Sequence, residues 1–257
     1  MKVRLIQLDG KLPNIALMKL AAHHKAKGDE ISFAAVDPKK RKVTLQHVIG
    51  KPDVIYASTI FEKTRPLAEE LLRWEPKAII GGSGWNEKIK LSDVGVTTLE
   101  QDYSIYPDFT ASVGFSQRGC RLACKFCKVP TMEGKFQKVQ RATSIWRGEP
   151  WPKHLILLDN DFFGDPGWQD EIASFGRYGD KDAFKVSFNQ GINARFLTDE
   201  TAAAIAQVDY RDVNMKDRRL YTAWDNSRDW STFMTGIKAL LKHGVRPRHL
   251  VVYLLLG

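Results

Sequence analysis

The chain has 257 residues, 43 per cent of them hydrophobic, and 39 Lys and Arg against 30 Asp and Glu give it a formal net charge of +9. That length and apolar content allow a substantial core in one large or two modest domains. No apolar run approaches bilayer length, and residues 1–9 carry neither a long apolar h-region nor a small-residue cleavage site, so a soluble, cytoplasmic protein without a membrane partner is expected.

From the start, residues 3–8 read as a buried strand, and residues 12–27 place Leu12, Ile15, Ala16, Met18, Leu20 and Ala21 at helical spacing before Gly28. His23 and His24 fall on this helix and are expected at its surface. Residues 30–36 form a second strand, a basic turn covers 37–42, and residues 53–59 form a third strand. A helix over 65–74 and a fourth strand over 77–80 follow, the latter running into Gly81-Gly82-Ser83-Gly84. Strand and helix in alternation imply a parallel sheet with helices on its faces. Residues 101–108 are polar and Tyr-rich with Pro107, which suits a linker, so the domains are expected to be 1–105 and 106–257.

The second half opens with a strand over 110–115. Later strands read as 154–158, 184–188, 220–224 and 249–256, with helices over 168–175, 198–208 and 227–243 between them. Thr198 is placed to cap the second of these helices. The third carries Trp230, Phe233, Met234, Ile237, Leu240 and Leu241 at spacings of three and four, a stripe for core packing, with Gly244 beyond its end.

All three cysteines lie in Gly119-Cys120-Arg121-Leu122-Ala123-Cys124-Lys125-Phe126-Cys127, a C-x3-C-x2-C loop just after the first of these strands. The odd number and tight spacing do not fit an extracellular disulfide framework. Thiolates select soft iron and zinc sites. Structural zinc is closed and four-coordinate, and a fourth ligand would have to come from His154 or another distant His. An iron-sulfur cubane on three thiolates instead leaves one iron open to a small chelator. Eight basic residues surround the loop (Arg118, Arg121, Lys125, Lys128, Lys135, Lys138, Arg141 and Arg147) against the single Glu133, although the two halves of the chain share the excess almost evenly, +4 and +5. Such a field favours an anionic cluster, a carboxylate-bearing ligand or an acidic substrate such as RNA; a solvated loop is the plainer alternative.

The cysteine loop, with an aromatic before its last Cys, resembles the radical SAM superfamily. The resemblance implies that Cys120, Cys124 and Cys127 ligate a 4Fe-4S cluster, that S-adenosylmethionine chelates the open iron, and that its reductive cleavage yields a 5'-deoxyadenosyl radical. Phe126 would then lie against the adenine. The segment Asp159-Asn160-Asp161-Phe162-Phe163-Gly164 is similar to the Asp-Asp-Asn-Phe type of segment that lies near the methionine amine in many such proteins; an Asx-rich turn is its other reading. Further strand ends offer Asn189 and Gln190 for ribose or substrate, Arg195 to clamp a carboxylate, and Asp225 either to accept from ribose hydroxyls or to cap a helix.

The first hundred residues, through Leu12-Pro13-Asn14-Ile15-Ala16-Leu17-Met18-Lys19-Leu20 and Gly81-Gly82, resemble the Rossmann-like cobalamin-binding domain that precedes many radical SAM cores. Where the family carries Asp-x-His-x-x-Gly, this chain has Asp9-Gly10-Lys11-Leu12-Pro13 without the cobalt-ligating His, so the fold is expected and cobalamin is left in doubt.

The expected architecture is therefore α/β: a Rossmann-like parallel sheet, then an incomplete (β/α) partial TIM barrel of five units that lacks the sixth. Its last strand, with Gly257 at the end, would need a neighbour or a second chain to complete the barrel. The expected function is that of a radical SAM enzyme, transferase- or methyltransferase-like, with an outside electron donor and an unidentified substrate. A zinc or iron-sulfur nucleic-acid-binding module and a catalytically degenerate partner subunit are the rival readings.

Overall fold

The computed structural model describes residues 1–122 and 124–254, and the chain divides into two compact units, Met1–Phe109 and Thr110–Gly257. It is a mixed α/β protein with parallel sheets. Among the described residues, no helix is long and apolar enough to cross a membrane.

Unit 1 contains β1 (Lys2–Gln7), α1 (Ile15–Ala26), β2 (Glu30–Ala35), α2 (Leu45–Val48), β3 (Val54–Ser58), α3 (Arg65–Trp74) and β4 (Ile79–Gly81). The four strands form one parallel sheet in the order β2-β1-β3-β4. Each face has its own core. Ile6, Leu8, Val36, Ile55 and Ala57 pack with Val48, Leu67 and Leu71 on one side, and Val3, Leu5 and Tyr56 with Leu17, Leu20 and Ala21 on the other. The first helix starts later than its apolar pattern because Asn14 is the N-cap, its side chain accepting from the Leu17 N–H.

Two expectations for unit 1 need correction. His24 is not at the surface: it is 3 % exposed, its ring 5.5 Å from that of Tyr56 and its Nδ1 2.7 Å from Asp29. Three- and four-residue steps from Leu17 through Leu20 or Ala21 to His24 trace the buried face of α1; His23 is half-buried. The supposed linker is docked onto unit 1. Tyr106 donates to Gln7 Oε1 at 2.6 Å, accepts from the Asn14 N–H at 3.1 Å and lays its ring 4.7 Å from that of Phe33.

Unit 2 contains β5 (Ser112–Gly114), β6 (Gln117–Arg118), α4 (Val129–Met132), β7 (Gln137–Lys138), β8 (His154–Leu157), α5 (Trp168–Ser174), β9 (Lys185–Phe188), α6 (Asp199–Gln207), β10 (Asp209–Tyr210), β11 (Leu220–Trp224), α7 (Trp230–Lys242) and β12 (Leu250–Leu254). A four-stranded parallel sheet runs β10-β9-β8-β5, and β11 and β12 form a separate parallel pair. The sequence pattern missed β10. It occupies the edge of β9 at its start, and the hydrogen bond to β11 comes from beyond the end of β9, where the Ile192 N–H donates to Tyr221 O at 2.8 Å. The expected extension of the last strand to Leu256 and the role given to Gly257 lie outside the described residues.

The core of unit 2 lies between this sheet and the helices α5, α6 and α7. Thr198 caps α6 by accepting from the Thr201 N–H. On α7 the buried stripe is narrower than its sequence pattern: Phe233, Ile237 and Leu240 are buried, whereas Trp230 is 51 % and Leu241 39 % exposed. Gly236 on the same helix lies so near the Ala194–Phe196 turn that a Cβ there would stand 1.9 Å from Ala194 O. The helix is thereby held tight against the segment that carries Arg195.

Candidate functional site

The cysteine loop is the loop of a β-hairpin. β6 and β7 pair antiparallel, with Gln117 opposite Lys138 and Arg118 opposite Gln137, and the loop between them holds all three thiols and the short helix α4. The hairpin leaves the sheet at the carboxyl end of β5, where open α/β sheets place their sites. Gly119 makes its closure possible. Its φ is +82°, and a Cβ there would lie 2.1 Å from Lys135 O, so a backbone approach this close admits only glycine. The Cys120 N–H donates to Gly134 O at 3.2 Å across the same contact.

Glu133, at the end of α4, fastens both ends of the loop. One oxygen accepts from Arg118 Nη2 at 2.6 Å; the other accepts from the Gly119 N–H at 2.9 Å and from Asn160 Nδ2 at 3.0 Å. Lys138 on β7 reaches Asp165 and Glu171, and Glu171 also accepts from the Ala142 N–H at 2.7 Å.

Asp159, Asn160 and Asp161 follow β8, and all three face the cysteine hairpin. Asp159 accepts from the Ser116 N–H at 2.8 Å, Ser116 Oγ at 2.6 Å and the Gln117 N–H at 3.1 Å. Burial pushes its carboxyl up to about 6 despite those three donors. Asp161 accepts from Arg121 Nε at 2.9 Å and Nη2 at 3.2 Å, while its main-chain carbonyl accepts from Gln117 Nε2 at 2.7 Å. These residues act on the loop itself. The sequence pointed to them for another task and missed Glu133, Ser116 and Gln117, whose partners stand up to 43 residues away.

The three thiols are free and half-buried. Main-chain N–H groups approach two of the sulfurs: Leu122 N is 3.4 Å from Cys120 Sγ and Val129 N is 3.4 Å from Cys127 Sγ. The Cys127 N–H closes a turn on Cys124 O at 3.0 Å. Burial pushes the Cys120 thiol up, and the charges of Asp161, Cys124 and Cys127 add to the rise. Among the described residues, no group of three or more His, Cys, Asp or Glu is gathered tightly enough to hold a metal ion. The sulfurs thus share one loop without meeting at a point. As a donor set, three thiols, two of them with a main-chain N–H at sulfur, are of the soft type that iron and zinc sites select.

Arg195 comes from the turn after β9. Its Nη1 donates to Asp229 Oδ2 at 2.6 Å and its Nε to Asn193 Oδ1 at 3.2 Å. Burial opposes its charge, but Asp229 and the Cys124 thiol outweigh it and push the pKa up. The arginine therefore reaches the cysteine loop. Asn189 is half-buried and Gln190 exposed; Phe126 is 58 % exposed on its turn. Asp225 is half-buried at the end of β11, and the capping there is done by Asn226, which accepts from the Arg228 N–H.

The basic field around the loop is weaker than its local sequence. Arg118, Arg121 and Lys138 are each paired, with Glu133, Asp161 and the Asp165–Glu171 pair. In unit 1, Asp9 is buried and accepts from Thr59 Oγ1, Thr64 Oγ1 and the N–H groups of Ile60 and Phe61. It stands where the resemblance would put the beginning of a cobalt-binding motif, and it ties two loops together. Gly82 is packed just as closely, a Cβ there falling 2.1 Å from Thr59 O.

No protein-family model matches this chain, and no curated protein matches it.

Proposed function

We propose that this chain is a radical SAM enzyme in which Cys120, Cys124 and Cys127 hold a 4Fe-4S cluster that binds S-adenosylmethionine. When bound, that pair supplies one-electron cleavage of a sulfonium and, from it, a hydrogen-abstracting radical. The observation that carries the reading is the placement of three half-buried free thiols on one hairpin loop at the carboxyl end of a parallel sheet. Buried carboxylates fasten that loop from outside, and none of the thiols is spent on a disulfide.

The chain's own residues divide the work. Asp159 holds the first leg of the hairpin, Glu133 ties that leg to the far end of the loop, and Asp161 holds Arg121 between the first two cysteines. Arg195 brings a positive charge to Cys124. Half-buried Asn189 and Asp225 and exposed Gln190 follow β9 and β11, where ribose or substrate groups would be bound. Phe126, on the exposed turn of the same loop, is the aromatic offered to an adenine. In this reading unit 2 is an incomplete β/α barrel, for which the parallel order β10-β9-β8-β5 and the β11–β12 pair are the support. Unit 1 is a Rossmann-like domain of cobalamin-binding type, for which the parallel order β2-β1-β3-β4 is the support. Cobalt ligation is not part of the proposal, because Asp9-Gly10-Lys11-Leu12-Pro13 has no His to ligate cobalt, and Asp9 itself is bound to Thr59, Thr64 and two main-chain N–H groups.

The test is anaerobic reconstitution with iron and sulfide, followed by metal analysis and a cleavage assay with S-adenosylmethionine and a reductant. The expected result is an iron-sulfur chromophore and 5'-deoxyadenosine, both lost in Cys124→Ala. Zinc without iron in the anaerobically purified protein, or a chromophore and cleavage that survive Cys124→Ala, would replace this reading with that of a structural metal module.

A further inference from the structure

At the amino ends of the strands of unit 2, away from the cysteine loop, basic and aromatic side chains from four segments collect on one surface. Leu220 of β11 pairs with Leu250 of β12, so Arg218-Arg219 and Arg248-His249 enter the sheet side by side. Arg246 lies one turn earlier, before the 3-10 turn Pro247–His249. The Arg218 guanidinium is sandwiched between two tyrosine rings, 3.9 Å from the centroid of Tyr178 and 4.0 Å from that of Tyr210. Tyr210 shares a 2.8 Å hydrogen bond with His249 Nδ1. The neighbouring Arg211 is engaged by Asp209 at 2.6 Å.

The charge on this surface is only partly compensated. Arg218 donates to the carbonyls of Ala206 and Val208, which are neutral, and its buried Nε has no acceptor. Arg246 and Arg248 are exposed, and among the described residues neither has an ion-pair partner. Burial lowers the pKa of His249, and Arg218, Arg248, Arg246 and Arg211 lower it further, so four guanidinium charges converge there. Tyr178 turns one face to Arg218 and is 52 % exposed. A stacked, cation-backed aromatic ring beside exposed arginines has the elements of a single-stranded nucleic-acid platform: charge for phosphates and a π-face for a base. An acidic polypeptide would use the charge and leave the exposed ring without a task.

We propose that this surface, formed by Tyr178, Arg218, Arg246 and Arg248, binds single-stranded RNA, with Arg246 and Arg248 on phosphates and Tyr178 under a base. The site stands on its own residues and is independent of what the three thiols hold.

The test uses the full chain and a fluorescein-labelled, single-stranded oligouridylate read by anisotropy over a range of KCl concentrations. Wild type should bind, and the Arg246→Ala/Arg248→Ala double variant should bind at least about tenfold more weakly near 100 mM KCl, with the slope of log K against log salt shallower by about 1.4 for two lost contacts. Tyr178→Ala should lose roughly tenfold, while Tyr178→Phe, which keeps the ring, should bind like wild type. Both arginines are exposed, and an unchanged circular dichroism spectrum would show that the fold persists. The proposal is overturned if wild type shows no binding at low salt, if the double variant binds like wild type, or if Lys125→Glu/Lys135→Glu on the cysteine loop removes the binding instead. It is equally overturned if poly-glutamate displaces the RNA at matched charge, since the surface would then read charge alone.

Discussion

Asp159 is 4 % exposed and accepts three hydrogen bonds from the first residues after β5, so the chain needs its oxygens more than its charge. Its carboxyl is pushed from 3.8 to about 6 by burial. The folded chain therefore holds this proton more tightly than the unfolded chain does. The stability so gained is complete below about 3.8 and is lost as pH rises through about 6, on the order of 3 kcal/mol in all. Asp159→Asn keeps an oxygen for the Ser116 and Gln117 N–H groups and can donate to Ser116 Oγ, and it does not titrate. Urea unfolding between pH 4.5 and 7.5 should show wild type losing stability relative to Asp159→Asn as pH rises, with the loss levelling off above about pH 6. A difference that stays flat across that range would mean that the folded carboxylate is charged throughout. Asp159→Ala should cost about 2–4 kcal/mol near pH 7, because two buried N–H groups lose their acceptor, and more as pH falls below about 6, where wild type regains the stability of its protonated carboxyl.

The hairpin that carries the thiols depends on a backbone contact, and Gly119 is where that contact can be broken. Alanine there must adopt a φ of +82°, at a cost of about 1–2 kcal/mol, and its methyl would meet Lys135 O, a main-chain atom that cannot turn aside. The core of unit 2 contains no residue of this hairpin, so Gly119→Ala should open the loop while leaving the domain folded. In metal-free protein the rate of thiol modification by a disulfide reagent should rise several-fold, and iron retained after reconstitution should fall, with an unchanged far-ultraviolet spectrum. Equal reactivity and equal iron would show that the hairpin does not constrain the cysteines. The three cysteines are legible in the sequence because they are neighbours in it. The groups that hold them are not, since Asp159 and Ser116, or Asn160 and Glu133, are joined by hydrogen bonds across 43 and 27 residues and leave no periodic trace. The same distinction runs through the elements. Strands β1, β3, β8, β9 and β11 stand within a residue or two of their apolar runs, whereas the two-residue strands β6, β7 and β10 are too short to show alternation. The buried His24 was legible after all, from its spacing to Leu17 and Leu20, had polarity been weighed less than position.

The positive charge is divided almost evenly between the halves of the chain, yet unit 2 uses its share in two ways: beside the thiols Arg118, Arg121 and Lys138 are matched by carboxylates, and at the amino ends of β11 and β12 the exposed Arg246 and Arg248 are not. The cores are divided as well. Unit 1 covers both faces of its sheet with its own helices, and its 109 residues are a common size for a domain that folds alone. The polar stretch around Tyr106 belongs to that unit in energetic terms. Ile105 packs against the core beside Val96 and Leu91, and Tyr106 brings two hydrogen bonds to Gln7 and Asn14 as well as the edge-on contact with Phe33. At about 1 kcal/mol for each hydrogen bond and 1–2 kcal/mol for the apolar surface that the two side chains cover, the stretch contributes about 3–4 kcal/mol. A fragment of residues 1–109 should therefore unfold in one cooperative urea transition. A fragment of residues 1–101 should unfold at markedly lower urea or fail to fold, whereas Tyr106→Phe in the longer fragment should lose only the hydrogen-bond share, about 1–2 kcal/mol. Equal midpoints for the two fragments would mean that residues 102–109 merely connect the units and that the bonds made by Tyr106 add nothing to the fold.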